Sequence, residues 1–153
     1  MKLSLTLNGA HTRVDIQPGE NLIEVLRRAG CWSVKRGCQD GNCGTCVVQL
    51  NGEAVNSCLV LAAQAEGADV RTVEGLGTTQ HPHPLQTEFV RAAATQCGFC
   101  TPGTIMSTKA LLDRVPNPTD AEVKEALDGN LCRCTGYTKI FDAVKAAIAE
   151  MQP

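Results

Sequence analysis

The chain has 153 residues, enough for one or two domains, with 43% hydrophobic residues, 3% aromatics and a formal net charge of −2. It carries no basic run and no basic stripe interleaved with aromatics, which excludes a nucleic-acid footprint. No apolar run is long enough to span a bilayer, so membrane insertion is not expected either.

Lys2–Leu7 alternates apolar and polar residues and predicts a strand. Asn8-Gly9 is a turn signal and residues 12–16 alternate again, so a hairpin is expected. This N-terminal stretch lacks a signal-peptide core and a twin-arginine pair, which points to the cytoplasm. Pro18-Gly19 stops the hairpin, and Asn21 offers an N-cap for a helix with Leu22, Val25 and Leu26 on one face. Gly30 ends that helix. Residues 35–46 contain Gly37, Gly41 and Gly44 without periodicity and read as a loop. Val47–Leu50 predicts a strand, Asn51-Gly52 a turn, Ala54-Val55 a return, and residues 69–73 a last short strand. This order is α+β and compatible with a β-grasp.

Residues 75–84 (GLGTTQHPHP) have the composition of a linker. Beyond them the pattern is helical. Helices are expected at 85–94 and at 101–115, the latter with Pro102 in its first turn, where proline is tolerated. Pro116-Asn117-Pro118 breaks the pattern. Thr119-x-x-Glu122 is a capping-box signature for a third helix, closed by Gly129. Residues 137–151 predict a fourth, with Ile140, Val144, Ile148 and Met151 on one face. The expected division is a first domain at 1–76, a linker at 77–84 and a four-helix domain at 85–153. Each half is near the size at which burial alone gives marginal stability, so a bound group that cross-links it would add to a modest core.

Eight of the nine cysteines fall into two groups of four. The first is Cys38-x4-Cys43-x2-Cys46, completed by Cys58. The second is Cys97-x2-Cys100, completed by Cys132-x-Cys134. The first spacing is that of plant-type [2Fe–2S] sites, in which one loop supplies three thiolates and a later residue the fourth. Disulfides are the weaker reading, because the count is odd and the expected compartment is reducing. Zinc sites of four cysteines usually pair two short knuckles. The second group can pass for such a site; the first, with its four-residue gap and single distant partner, fits zinc poorly. Gly37, Gly41 and Gly44 would let the first loop wrap closely and aim backbone N–H groups at the sulfurs, offsetting a buried negative charge; plain turns are the alternative. Two four-thiolate sites imply one-electron transfer. No catalytic triad, phosphate loop or pair of catalytic carboxylates stands at recognisable spacing, so no catalytic residue and no substrate site are expected on this chain.

Four segments together resemble the small iron–sulfur subunit of the molybdenum hydroxylases, a family that includes xanthine dehydrogenases, aldehyde oxidoreductases and carbon monoxide dehydrogenase. They are VKRGCQDGNCGTC (34–46), VNSCLVLA (55–62), QCGFCTPG (96–103) and GNLCRCTGY (129–137). The resemblance covers nearly the whole chain. It implies a plant-ferredoxin-like β-grasp holding one [2Fe–2S] cluster on Cys38, Cys43, Cys46 and Cys58. It implies a second cluster on Cys97, Cys100, Cys132 and Cys134 in a four-helix bundle with pseudo-twofold symmetry. A large subunit would bind the molybdopterin cofactor (molybdenum) beside the second cluster. Gln96 matches a glutamine that touches the pterin, and Cys134 the ligand nearest to it. A medium FAD-binding subunit would complete a heterotrimer, dimerised or not, although some relatives pass electrons to a cytochrome instead. A looser likeness around residues 25–38 to purine and nicotinate dehydrogenases suggests a purine or other N-heteroaromatic substrate for the holoenzyme. A free two-cluster electron carrier is the alternative.

Thr45 departs from the alanine common in the family and places a hydroxyl between two ligands. Cys31 stands where an apolar residue is usual and is expected to be a buried small hydrophobe. Trp32, the only tryptophan, is expected in the core. His81 and His83 are expected to be solvated in the linker. Lys35 and Arg36 either offset cluster charge or are simply exposed, and Arg133 either contacts a partner or is exposed.

Overall fold

A computed structural model describes residues 1–152. The first half is a five-stranded sheet with one helix packed on it. Strand β1 (Lys2–Leu7) pairs antiparallel with β2 (Ala10–Asp15), with Lys2 opposite Asp15 and Leu7 opposite Ala10. Asn8 and Gly9 both take positive φ, as a two-residue hairpin turn matched to the strand twist requires. Leu3, Leu5 and Leu7 point into the core and the intervening residues outward, the period-two pattern of a half-buried strand. Helix α1 (Leu22–Arg28) lays Leu22, Ile23, Val25 and Leu26 on that face. Asn21 occupies the N-cap position without a side-chain cap bond.

β3 (Val47–Leu50) and β4 (Glu53–Asn56) form a second hairpin across Asn51-Gly52. β5 (Asp69–Arg71) lies between the hairpins, parallel to β1 and antiparallel to β3, giving the order β2-β1-β5-β3-β4. β5 stops before residues 72–73 because the Thr72 amide donates instead to Asn8 Oδ1 at 2.8 Å, and a 3₁₀ turn, Val73–Gly75, follows. A second 3₁₀ turn, Ala62–Ala65, has no obvious sequence signal; Ala62 and Ala65, three apart, are both fully buried in the first core.

Residues 76–83 run along the helical half. The Thr78 amide donates to the His81 carbonyl at 3.0 Å, and Leu76 packs on the helical core. His83 is half-buried rather than solvated. It caps α2 (Pro84–Arg91), its Nδ1 accepting from the Leu85 amide at 3.2 Å, and burial holds its pKa below the usual histidine value. α2 ends earlier than periodicity predicts, because Ala93 turns left-handed at φ 53°. α3 (Thr101–Arg114) ends at Val115, which is extended because it precedes Pro116. α4 (Asp120–Leu127) starts with the expected capping box: Thr119 Oγ1 accepts from the Glu122 amide, and the Glu122 carboxylate accepts from the Thr119 amide at 2.7 Å.

α5 (Thr138–Met151) buries Ile140, Ala143, Val144, Ala147 and Ile148 and packs against α2. Met151 lies at the helix end and is exposed, so the expected apolar face stops at Ile148. α3 also packs across β3, and Gln49, only 1% exposed, donates across this junction to Asp113 at 2.8 Å. Trp32 contradicts its expected place in the core. It is 64% exposed on the turn after α1, where the Arg27 guanidinium covers its ring at 5.4 Å.

Candidate iron–sulfur centres

The first group of cysteines sits on the loop between α1 and β3 and on the turn after β4. Cys46 and Cys58 are buried at 2% and 4% exposure, while Cys38 and Cys43 are half-buried. Their thiols meet in two pairs, Cys38 with Cys43 and Cys46 with Cys58. Burial opposes ionisation of Cys43, but hydrogen bonds from the Thr45 hydroxyl and amide and from Cys38 outweigh it and lower the pKa. Burial, followed by the neighbouring Cys46, pushes Cys58 up to about 11. Asn56 braces the loop, its Nδ2 donating to the Gly41 carbonyl at 3.1 Å and its Oδ1 facing Cys46 Sγ at 3.7 Å.

The second group joins the turn before α3 to the turn before α5. Again the thiols pair: Cys97 with Cys134, whose sulfurs are 3.6 Å apart, and Cys100 with Cys132. Cys100 is buried and pushed up to about 12 by burial and then by Cys132. Cys97 and Cys134 are exposed. The Phe99 amide, then Cys134, lowers the pKa of Cys97, and the bond with Cys97 raises that of Cys134. Tyr137, at φ 71°, turns its hydroxyl back to accept from the Cys132 amide at 2.9 Å.

A cleft of about 550 Å³ brings Cys43 of the first group, with Gly37 and Thr45, to all four cysteines of the second. The Leu131 amide donates to the Cys43 carbonyl at 3.0 Å, and Asn130 Nδ2 donates to the Gly44 carbonyl at 3.1 Å. Each expected ligand is therefore beside another of its own group. Among the described residues no three His, Cys, Asp or Glu side chains gather as a single ion would need. Two pairs of thiols per group, with no imidazole among them and one carboxylate, Asp40, hydrogen-bonded to Cys38, fit a binuclear iron–sulfur group bound by four thiolates. All nine cysteines are free.

Gly37 and Gly44 are constrained in different ways. A Cβ on Gly37 would stand 2.9 Å from Thr45 Oγ1 and 3.0 Å from Cys43 Sγ, so the first thiol group requires its absence. Gly44 has φ 69°, and a Cβ there would overlap the Gly129 carbonyl and the Asn130 side chain. Its constraint comes from the helical half, beyond the local wrapping expected of it. Gly41 has φ 82° and packs under Leu59. Gln96 is exposed next to Cys97. Lys35 lies 5.8 Å from the Phe99 ring centroid, Arg36 pairs with Glu24, and Arg133 is an exposed residue lining the cleft. Sequence reasoning missed Asn130, Leu131 and Tyr137. Their position beside the second cysteine pair was a signal, but the contacts of Asn130 and Leu131 run to distant backbone and were not local enough to read, while that of Tyr137 is to the Cys132 amide five residues before it.

Two family models match: a 2Fe-2S iron-sulfur cluster binding domain over residues 5–75 and a [2Fe-2S] binding domain over residues 72–145. The chain is 47% identical to the nicotinate dehydrogenase small FeS subunit of Eubacterium barkeri, over 95% of this chain and 94% of that one. It is 45% identical to the xanthine dehydrogenase iron-sulfur-binding subunit of Escherichia coli O157:H7, covering 93% and 91%. Among solved structures, quinoline 2-oxidoreductase from Pseudomonas putida 86 superposes with a TM-score of 0.93 at 43% identity, covering 98% of this chain and 94% of that one.

Proposed function

The chain belongs to the small [2Fe–2S] iron–sulfur subunits of the molybdenum hydroxylases, and from that premise we propose how its residues divide the work. Cys38, Cys43, Cys46 and Cys58 hold the first cluster; Cys97, Cys100, Cys132 and Cys134 hold the second. When bound, the clusters supply one-electron transfer from the molybdopterin centre of a large subunit to FAD on a medium subunit or to another acceptor. The chain's own residues fix the spacing of the two thiol groups and shield the first from water.

The observation that supports this reading is the cleft in which Cys43 of the first group meets all four cysteines of the second, with the Leu131–Cys43 hydrogen bond tying the two loops together. Cys97, Cys134 and Gln96 are exposed beside Phe99, Leu131 and Tyr137, all exposed apolar or aromatic residues. Such a rim favours the molybdopterin subunit docking there, with Gln96 and Cys134 toward the pterin. The residues divide as 1–76 and 85–153 around a connector at 77–84, the four helices forming a bundle. A heterotrimer with a FAD subunit fits, since the nicotinate and xanthine dehydrogenase relatives are described as subunits. Likeness to a nicotinate dehydrogenase subunit favours a purine or other N-heteroaromatic as the holoenzyme's substrate. No helix among the described residues is long and apolar enough to cross a membrane, and a cytoplasmic complex suits free thiols.

The test is EPR of the dithionite-reduced complex as purified from its source, with iron and molybdenum analysis. Two distinct [2Fe–2S] signals, about four irons per chain and molybdenum on a co-purifying larger subunit are expected. A chain that purifies alone with both signals would make it a free carrier, and zinc in place of half the iron would remove one cluster.

A further inference from the structure

Thr45 stands between Cys43 and Cys46, and the ligand assignment leaves its side chain without a part. It is buried, at 4% exposure. Three groups reach its Oγ1. The Gly37 amide donates to it at 3.2 Å, the Lys35 carbonyl oxygen lies at 3.1 Å, and Cys43 Sγ lies at 3.2 Å. A hydroxyl has one proton and two lone pairs. Gly37 fills one lone pair, so a single proton is left for two acceptors. While Cys43 is a thiol it can give its own hydrogen to Oγ1, and the threonine proton goes to Lys35. As an iron-bound thiolate, Cys43 has no hydrogen, and of the two side chains only Thr45 can donate. Gly37 closes on this contact, since a Cβ there would stand 2.9 Å from Thr45 Oγ1 and 3.0 Å from Cys43 Sγ.

We propose that Thr45 is a positioning residue for the first cluster, sharing its hydroxyl proton between the Lys35 carbonyl and the Cys43 sulfur and thereby raising that cluster's reduction potential. The inference rests on the reading of Cys43 as a ligand. An added electron increases the negative charge on the ligand sulfurs, and a donor at such a sulfur stabilises the reduced form more than the oxidised one. The second cluster is the internal reference. Its own hydroxyl contact, Thr135 Oγ1 donating to Cys132 Sγ at 3.1 Å, belongs to the other cysteine group and is untouched by changes at position 45.

The test is an EPR-monitored redox titration of both clusters in the intact complex, with iron content, for the parent protein and for Thr45→Val, Thr45→Ala and Thr45→Ser. Removing the hydroxyl is expected to shift the first midpoint to a more negative potential and leave the second in place. Serine, which keeps the hydroxyl, is expected to restore the parent value. An unshifted first midpoint in either hydroxyl-free variant at full iron content overturns the proposal. So does a serine variant that shifts as far as valine, or an equal shift of both clusters. If valine and alanine both lose the first signal while serine keeps it, the hydroxyl holds the loop and not the potential, and the proposal also falls. Cys43→Ala separates the two readings. Retention of the first signal and of all the iron in that variant would sink the ligand assignment itself. Its loss, beside an unshifted Thr45→Val, would sink only the role of Thr45.

Discussion

The two cysteine groups have the same donors and opposite surroundings. Around the first, the sheet half closes on itself: Cys46 and Cys58 are buried, Asn56 braces the loop, and the Thr45 side chain packs behind Cys43. Around the second, Cys100 is buried but Cys97 and Cys134 open to the surface beside exposed Phe99 and Leu131. The same thiol chemistry therefore sits in two different dielectric settings within one small chain. Desolvation and hydrogen bonding tune an iron–sulfur site as strongly as the ligands do. In the first group Cys46 and Cys58 are shielded by the chain itself, whereas Cys97 and Cys134 would be shielded only by a partner docked on the rim as proposed. That difference suits a relay with one end buried against a cofactor subunit.

The sharpest way to break the comparison is to remove one ligand from each side. Cys58→Ala is expected to abolish the first EPR signal and Cys134→Ala the second, each lowering iron from about four to about two per chain. If either variant loses both signals, the two sites do not form independently, and the contrast in their surroundings matters less than the junction they share.

That junction is the next target. Gly44→Ala forces a side chain into a left-handed conformation and against the Gly129–Asn130 backbone, so it is expected to cost on the order of 3 kcal/mol. Gly9→Ala has a similar φ, 82°, but open space around its Cβ, and is expected to cost about 1 kcal/mol. Thermal unfolding of the two variants measures the difference. Equal losses would mean that the contact between the halves contributes little.

What the sequence made legible is the local part of this architecture. The β1–β2 and β3–β4 hairpins follow from alternation plus Asn-Gly turns, and α4 from its capping box, because each signal lies within a few residues of its effect. β5 is recognisable as a strand, but nothing local says that three residues slot between β1 and β3, since that choice depends on partners more than 18 positions away. Trp32 failed for a related reason: a large apolar side chain is usually buried, but the turn that carries it faces outward and only Arg27 covers it. In the site, the nearness of Cys38 to Cys43 was readable from spacing. The pairing of Cys46 with Cys58 and of Cys100 with Cys132 was not, because it is set by where separate elements end. The hydrogen bonds from Asn130 and Leu131 to the first loop join residues 86 and 88 apart in sequence and had no local signature.

A smaller effect probes the helical half alone. Thr119→Ala removes the hydroxyl that accepts from the Glu122 amide and is expected to cost about 1 kcal/mol. Urea unfolding followed by helical circular dichroism measures it. The loss is expected without a change in the first cluster's signal, because α4 lies outside that loop.

The smallest expected effect lies in the sheet half and depends on pH. Burial disfavours the charged form of Glu74, but hydrogen bonds from the Ser33 and Thr72 hydroxyls and the Ser33 amide outweigh it, so its pKa is lowered from the ordinary 4.5. The Ser33 amide donates to it at 2.8 Å and the Thr72 hydroxyl at 2.6 Å, tying the 3₁₀ turn after β5 to the turn that precedes the first cysteine loop. A carboxyl with a depressed folded-state pKa binds fewer protons folded than unfolded. Its stabilisation is therefore present in full above pH 4.5 and is lost as the pH falls through the folded value. Glu74→Gln removes the titration. The melting temperature of the parent is expected to fall more steeply than that of Glu74→Gln as the pH is lowered below 4.5, with the two curves running parallel above it. Parallel curves throughout would mean that these hydrogen bonds leave the acid behaviour of the sheet half unchanged.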